Sequence, residues 1–162
     1  MDTAERQGKI DLYGRGFGLL SIALDEIPRE MWQFKPTPAE WSIHEILVHL
    51  ADSETNSYLR ARQLVAQPGA AIMAYDQDVW TNELDYHQRD WQDALEILRL
   101  VRKATYEFLL TLPNDVWDNT IKHPEYDEPY TFDMWIDIYS NHIPGHIEQI
   151  NNNHRLWLET QT

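Results

Sequence analysis

Two histidines four residues apart, in Asn141-His-Ile-Pro-Gly-His-Ile-Glu-Gln-Ile150, are the residues of this chain whose type and spacing most directly suggest chemistry. On a helix, positions i and i+4 share a face about 6 Å apart, close enough for two imidazoles to bind one metal ion. The pair alone is a weak motif in a chain of 162 residues with seven histidines. Orientation adds weight. At about 100° per residue, His142 and His146 fall in the sector of Trp135, Ile138, Tyr139 and Ile143 and face the interior. A buried imidazole needs a partner for each ring nitrogen, and a shared metal ion satisfies two rings at once. Between the histidines stand Pro144 and Gly145, which cost a helix interior about 3 and about 1 kcal/mol. Their presence predicts a local kink that re-aims the two rings, with a simple helix break as the alternative.

A metal held by this pair needs a third ligand. His49, in His44-Glu-Ile-Leu-Val-His-Leu-Ala-Asp-Ser-Glu54, lies at the margin of an earlier apolar helix face beside Ser53 and Asn56. Taken alone it reads as well as a flank or capping histidine. His44 sits near a helix end, and His87, His123 and His154 fall in loops or last turns, where solvated histidines are common.

The elements that must position these groups are helical. Ile10, Tyr13, Phe17, Leu20 and Leu24 recur at helical spacing. Gly14, Gly16 and Gly18 lie inside that run with no preceding strand, so close helix packing, and not a nucleotide loop, is expected of them. A second helix opens on a capping box, Ser42 with Glu45, and a Trp41–Ile46 staple, and ends at Gln67-Pro-Gly69. A third runs from about Asp90 to Leu112, and a fourth opens near Thr131 and continues past Trp157. Ile27-Pro-Arg-Glu-Met-Trp32 is echoed by Leu112-Pro-Asn-Asp-Val-Trp117, each followed by a loop and a Ser- or Thr-capped helix. Two helical hairpins related by a pseudo-two-fold are therefore expected. The long stretch from Gln67 to Arg89 lets the third helix start from the opposite end to where the second stops, giving an all-α, four-helix bundle with one long crossover. Asp78–Leu84 could add a helical turn to it. Thr120–His123 and Tyr130–Phe132 could form a small hairpin.

Composition bounds the function. Seven Trp, eight Tyr and 43% hydrophobic residues predict one folded domain over 1–162. There is no cysteine, hence no disulfide, thiolate ligand or Cys nucleophile. Thirteen basic against 27 acidic residues give a formal charge of −14, which argues against nucleic-acid and anionic-membrane partners. Small molecules and other proteins remain, a homodimer among them. With no apolar run long enough for a membrane span and no leader-like N-terminus, a cytoplasmic protein is expected.

Trp41-Ser-Ile-His-Glu-Ile-Leu-Val-His-Leu-Ala-Asp-Ser-Glu54, together with His142 and the His146-Ile-Glu-Gln-Ile150 run, resembles the DinB-like (DinB/YfiT) four-helix-bundle family across nearly the whole chain. This family carries a DNA damage-inducible name but is distinct from the DNA polymerase that shares it. The resemblance implies an up-down-down-up helix order and a divalent metal ion (Zn, Ni, Fe or Mn) on three histidines, here His49, His142 and His146. It also implies metal-dependent transferases, several acting on low-molecular-weight thiols. The Pro144-Gly145 pair departs from the family pattern.

Three imidazoles leave a metal's fourth position open, the arrangement of a catalytic site. Asp52 and Gln149, each one turn beyond a ligand, stand where groups that orient ligands would be, although Asp52 reads equally as a solvated helix charge. Tyr75, Trp80 and Tyr86 in the crossover are candidates for a substrate-pocket wall, packing over the bundle end being their commoner role. The expected function is small-thiol S-transfer. The alternatives are metal-dependent hydrolysis and a non-catalytic metal-binding or stress-response module.

Overall fold

Ser42 starts the helix that carries His49. Its hydroxyl accepts the Glu45 backbone N–H at 3.2 Å, and the Glu45 carboxylate accepts the Ser42 N–H at 2.8 Å, closing the capping box that the sequence predicts. In the computed structural model, which describes residues 1–162, this helix is α2, Ile43–Ala66. Around it stand α1 (Thr3–Asp25), α4 (Trp91–Leu109) and α5 (Phe132–Glu159), while a short α3 (Gln77–Glu83) lies in the crossover. Side-chain pairings fix the directions. Arg6 meets Asp133 and Lys9 meets Asp137, so α1 and α5 run parallel. His44 meets the Arg89 carbonyl and Glu54 meets Arg102, so α2 and α4 run parallel. Trp135 donates to the Ser57 carbonyl and Asn153 to that of Trp41, which makes α5 antiparallel to α2. The order is up-down-down-up. The helices of each sequential hairpin lie across the bundle's diagonal, and α1 packs on α5 as α2 packs on α4, in keeping with a pseudo-two-fold.

Parallel neighbours explain the long crossover. A helix of 24 residues is about 36 Å long, and the chain must return over that distance before α4 can start. Gly69, at φ +82°, makes the turn out of α2. Ala70–Ile72 then pairs with Lys122 beside a two-stranded hairpin, β1 (Thr120–Ile121) and β2 (Tyr130–Thr131), in register Thr120↔Thr131. The two Pro-x-x-x-Trp segments form matching 3-10 turns, Arg29–Met31 and Asn114–Asp118, and both bury their tryptophans.

Apolar side chains form two clusters toward the two ends of the bundle, one around Trp135, Leu64 and Trp117, the other around Leu47, Leu98 and Ile143. Between them lies a polar layer. Arg102 of α4, only 2% exposed, donates to Glu54 at 2.6 Å, to the Tyr13 carbonyl at 2.9 Å and to the Tyr139 carbonyl at 3.1 Å. The Tyr13 hydroxyl bonds the other oxygen of Glu54, and its phenol is pushed well above the usual range, first by burial and then by that carboxylate. All four long helices thus meet at one guanidinium.

Two expectations change, at Gly18 and at Ile138, and of the two outcomes expected at Pro144 the helix break does not occur. Close packing was expected of Gly14, Gly16 and Gly18, and it occurs at the first two only. A Cβ on Gly14 would lie 2.6 Å from the Tyr106 ring and one on Gly16 would lie 2.7 Å from Arg102, whereas Gly18 faces open space. Helix α5 continues through Pro144 and Gly145 without a break. Pro144 deprives the Ser140 carbonyl of its helical donor, and packing of the flanking Tyr139, Ile143 and Ile150 against the core holds the helix across the gap. Ile138, expected inward, is 37% exposed. No helix is long and apolar enough to cross a membrane.

Gly18→Ala should raise unfolding stability by about 0.5–1 kcal/mol, because an exposed mid-helix glycine gains propensity at no steric cost. Gly16→Ala should lower it by about 1–3 kcal/mol, since the guanidinium it meets is held by three bonds and cannot retreat. Removing that guanidinium in Arg102→Met should cost about 3–5 kcal/mol by stranding Glu54. Urea melts of the three variants check all three values. Equal effects at Gly16 and Gly18 would contradict the packing described.

Candidate metal centre

The α2–α5 contact brings together the three histidines singled out in the sequence. His142 Nε2 lies 3.3 Å from His49 Nε2 and 3.2 Å from His146 Nε2, and the three rings offer ligand atoms all within 4.8 Å of one another. Helix α2 supplies one ring and α5 the other two, one turn apart across Pro144–Gly145. Trp41, just before the α2 cap, packs against the cluster, with its ring centroid 4.7 Å from that of His49 and its plane stacked at 14° on His146.

Burial sets the protonation. Desolvation, then the neighbouring His146, pushes His49 down to about 3. His142 is driven well below its usual range by desolvation first and by the other two rings after it, and His146 is lowered by desolvation. The cluster is therefore neutral at neutral pH, the form that ligates metal.

The donor set fits a divalent ion on two grounds. Three nitrogens about 2.1 Å from a tetrahedral ion lie about 3.4 Å apart, close to the spacing between the bonded Nε2 pairs. Without an ion, the hydrogen bonds do not close. His146 Nδ1 lies 3.0 Å from Gln149 Oε1, so that nitrogen carries the proton and its Nε2 can only accept. His142 Nε2–H can serve one neighbour and not both, while Nδ1 of both His49 and His142 is buried without a partner. A cation at the meeting point satisfies all three Nε2 atoms.

A cavity of about 430 Å³ opens beside His49 and His142. Its wall is mainly polar: Ser53 and Arg60 from α2, Tyr139 from α5, Tyr75, Asp76 and Gln77 from the crossover, and His123 and Glu125 from the loop after β1. A second, smaller opening of about 260 Å³ reaches His146 and Gln149 past Trp41, and Gln77 borders both. The centre is thus approached from two sides.

Other expected site residues divide. Gln149 holds the His146 ring. Asp52 does not touch the histidines; it accepts the Tyr86 hydroxyl. Tyr75 lines the cavity, whereas Trp80 and Tyr86 pack together with Val48, Ala51 and Ala94 beneath the crossover. His123, expected in solvent, is 5% exposed, enclosed by Tyr126 and Tyr130. Its Nδ1 accepts the Glu125 backbone N–H at 3.2 Å, which leaves the ring proton on Nε2, and burial lowers its pKa. Arg60, His123 and Tyr139 were not assigned to the site from sequence. Helical periodicity marked Tyr139 as inward, but no local pattern marked the other two.

Known proteins agree with this architecture. YfiT of Bacillus subtilis, provisionally named a metal-dependent hydrolase, is 28% identical over 110 residues, covering 68% of this chain and 62% of its own. A relative from Oceanobacillus iheyensis with the same provisional activity name is 27% identical over 112 residues, covering 69% of this chain and 64% of its own. The chain thus spans less than two thirds of the length of these relatives. The solved structure of B. subtilis YfiT, described as an unusual four-helix bundle, superposes with a TM-score of 0.87 at 22% identity over 96% of this chain and 89% of that one. The model of the DinB superfamily matches residues 15–150, and the chain belongs to that superfamily.

Proposed function

We propose that the protein is a metal-dependent hydrolase of small molecules whose divalent ion is held by His49, His142 and His146. The observation that carries this reading is the convergence of three neutral imidazoles at the wall of a polar cavity of about 430 Å³. Three protein ligands would leave room for a fourth group, and two of the three, His49 and His142, line the cavity. The activity names of the relatives from B. subtilis and O. iheyensis support the same reaction class.

When bound, a divalent ion would supply Lewis-acid chemistry: charge stabilisation at a reacting oxygen and a nucleophile available near neutral pH. The chain's own residues do the rest. Gln149 fixes the His146 tautomer and ring plane. Trp41 packs against the His49 ring and stacks on His146, which limits how far the two imidazoles can turn. Burial raises the Tyr139 phenol to about 12, so it stays protonated and offers its O–H within the cavity. Ser53 adds a second hydroxyl.

Small-thiol S-transfer is the second reading, and the two openings on either side of Gln77 favour it, because a transferase must admit two substrates. Neither Cys nor any other built nucleophile is available in the chain for a covalent route, so a thiol would come from solution.

Replacing His49, His142 or His146 by Ala should reduce bound metal from about one ion per chain to under about a tenth, while circular dichroism stays helical; near-stoichiometric metal in all three variants would refute the site. Metal-loaded protein should release 4-nitrophenol from 4-nitrophenyl acetate, with His146→Ala lowering the rate at least about 100-fold, on the scale of losing a metal-supplied nucleophile. Release without added thiol identifies hydrolysis. Release only with a thiol identifies transfer, and no metal-dependent release with or without thiol leaves a non-catalytic metal-binding module.

A further inference from the structure

Arg60 is the one Lys or Arg in the wall of the cavity beside His49 and His142. It belongs to α2, eleven residues beyond His49 on the same helix. Its guanidinium donates to the Tyr139 hydroxyl at 3.0 Å and to the Met73 carbonyl at 3.1 Å, both neutral oxygens. In a chain with 27 acidic and 13 basic residues, this cation is held in place by neutral groups and left without a carboxylate. A guanidinium has five N–H donors in a planar fork, so donors remain for a ligand.

The two acidic residues of the same wall do not supply its counter-charge. Asp76 caps α3 through Oδ1, which accepts the backbone N–H groups of Asp78 at 2.9 Å and Val79 at 3.0 Å, and it makes no ion pair with Arg60. Glu125 is 64% exposed, on the loop, 4.0 Å from His123. What remains is a fixed positive charge facing a polar cavity that leads to the histidines.

We propose that Arg60 anchors a carboxylate carried by the substrate of the metal centre, so that the protein selects anionic small molecules over neutral ones. The proposal rests on the metal-dependent reading above and adds the substrate class to it. Spacing sets the shape of that substrate. Eleven residues place the Arg60 and His49 backbones about 16 Å apart along α2, a span shortened because a helical side chain leans toward the helix N-terminus. The Tyr139 hydroxyl that Arg60 holds belongs to α5, three residues before His142. The carboxylate and the reacting group are then separated by several bonds, with Tyr139 contacting the segment between them. Arg60 is a specificity residue, distant from the reacting atoms.

The test uses benzoate and its neutral isostere benzamide, titrated into the full chain after metal removal by chelation, with amide chemical shifts as the readout. Benzoate should perturb residues of the cavity wall and bind at least about ten-fold more tightly than benzamide, the scale of one charge-assisted hydrogen-bonded contact. Arg60→Gln should bring benzoate to the level of benzamide, and Arg60→Lys should restore part of the difference. Metal content of both variants should match the parent, because Arg60 is not a ligand, and their circular dichroism should stay helical. Equal binding of the two probes, no benzoate binding, or a preference that survives Arg60→Gln would overturn the proposal. Failure of the metal reading is seen separately, as a parent protein that binds no ion while its carboxylate preference persists.

Discussion

The ion pair between Arg102 and Glu54 is the constraint on which the bundle depends. A guanidinium that is 2% exposed needs a partner for each of its nitrogens, and here the partners come from α2 (Glu54), α1 (the Tyr13 carbonyl) and α5 (the Tyr139 carbonyl). Such a pair adds little net stability over an apolar replacement, but it penalises every register except one. Glu54 lies five residues beyond His49, and Tyr139 lies three before His142. The register that satisfies Arg102 is therefore the register that brings His49 Nε2 to 3.3 Å from His142 Nε2. Gly16 belongs to the same constraint, because any side chain there would occupy the space of the guanidinium.

Much of this was legible in the sequence, and the legible part is local. Ser42 and Glu45 form a cap within four residues of each other, the two Pro-x-x-x-Trp turns repeat one short pattern, and His142 and His146 share a face by helical geometry alone. The direction of each helix followed from connection lengths. What escaped notice depends on contacts distant in sequence. Arg102 and Glu54 each read as ordinary helix charges until α2 and α4 are seen side by side, 48 positions apart. His123 sits in a segment of Pro, Glu and Asp that reads as solvated; its burial comes from the hairpin folding Tyr130 back over it. Arg60 looks like any exposed helix arginine until the crossover brings the Met73 carbonyl and Tyr75 across it. The crossover aromatics are close in sequence but divide in their surroundings: Tyr75, just before the α3 cap, lines the cavity, and the segment after α3 buries Tyr86 against α2 and α4.

The opening left by proline in α5 fits the same division between fold and site. A helix that can absorb Pro144 without breaking must be held by its neighbours, and Ile143 and Ile150 do this from the core side. The site in turn relies on unsatisfied groups. His49 and His142 each leave a buried Nδ1 without a partner, a cost that a folded chain carries when another gain offsets it. Satisfying three Nε2 atoms with one cation would be such a gain. Stability in this protein is supplied by the apolar clusters and register by the arginine layer, which leaves the histidines free to be arranged for binding.

The claim at the centre of this account is that three imidazoles, one from α2 and two from α5, bind one divalent ion and leave it open to the cavity. X-ray absorption at the metal edge, on protein purified without immobilised-metal chromatography and loaded with zinc, measures it most directly. The account predicts about three imidazole nitrogens at about 2.0–2.1 Å and at least one further light-atom ligand not supplied by histidine. A metal shell without imidazole scattering, or one saturated by four protein ligands, would contradict it.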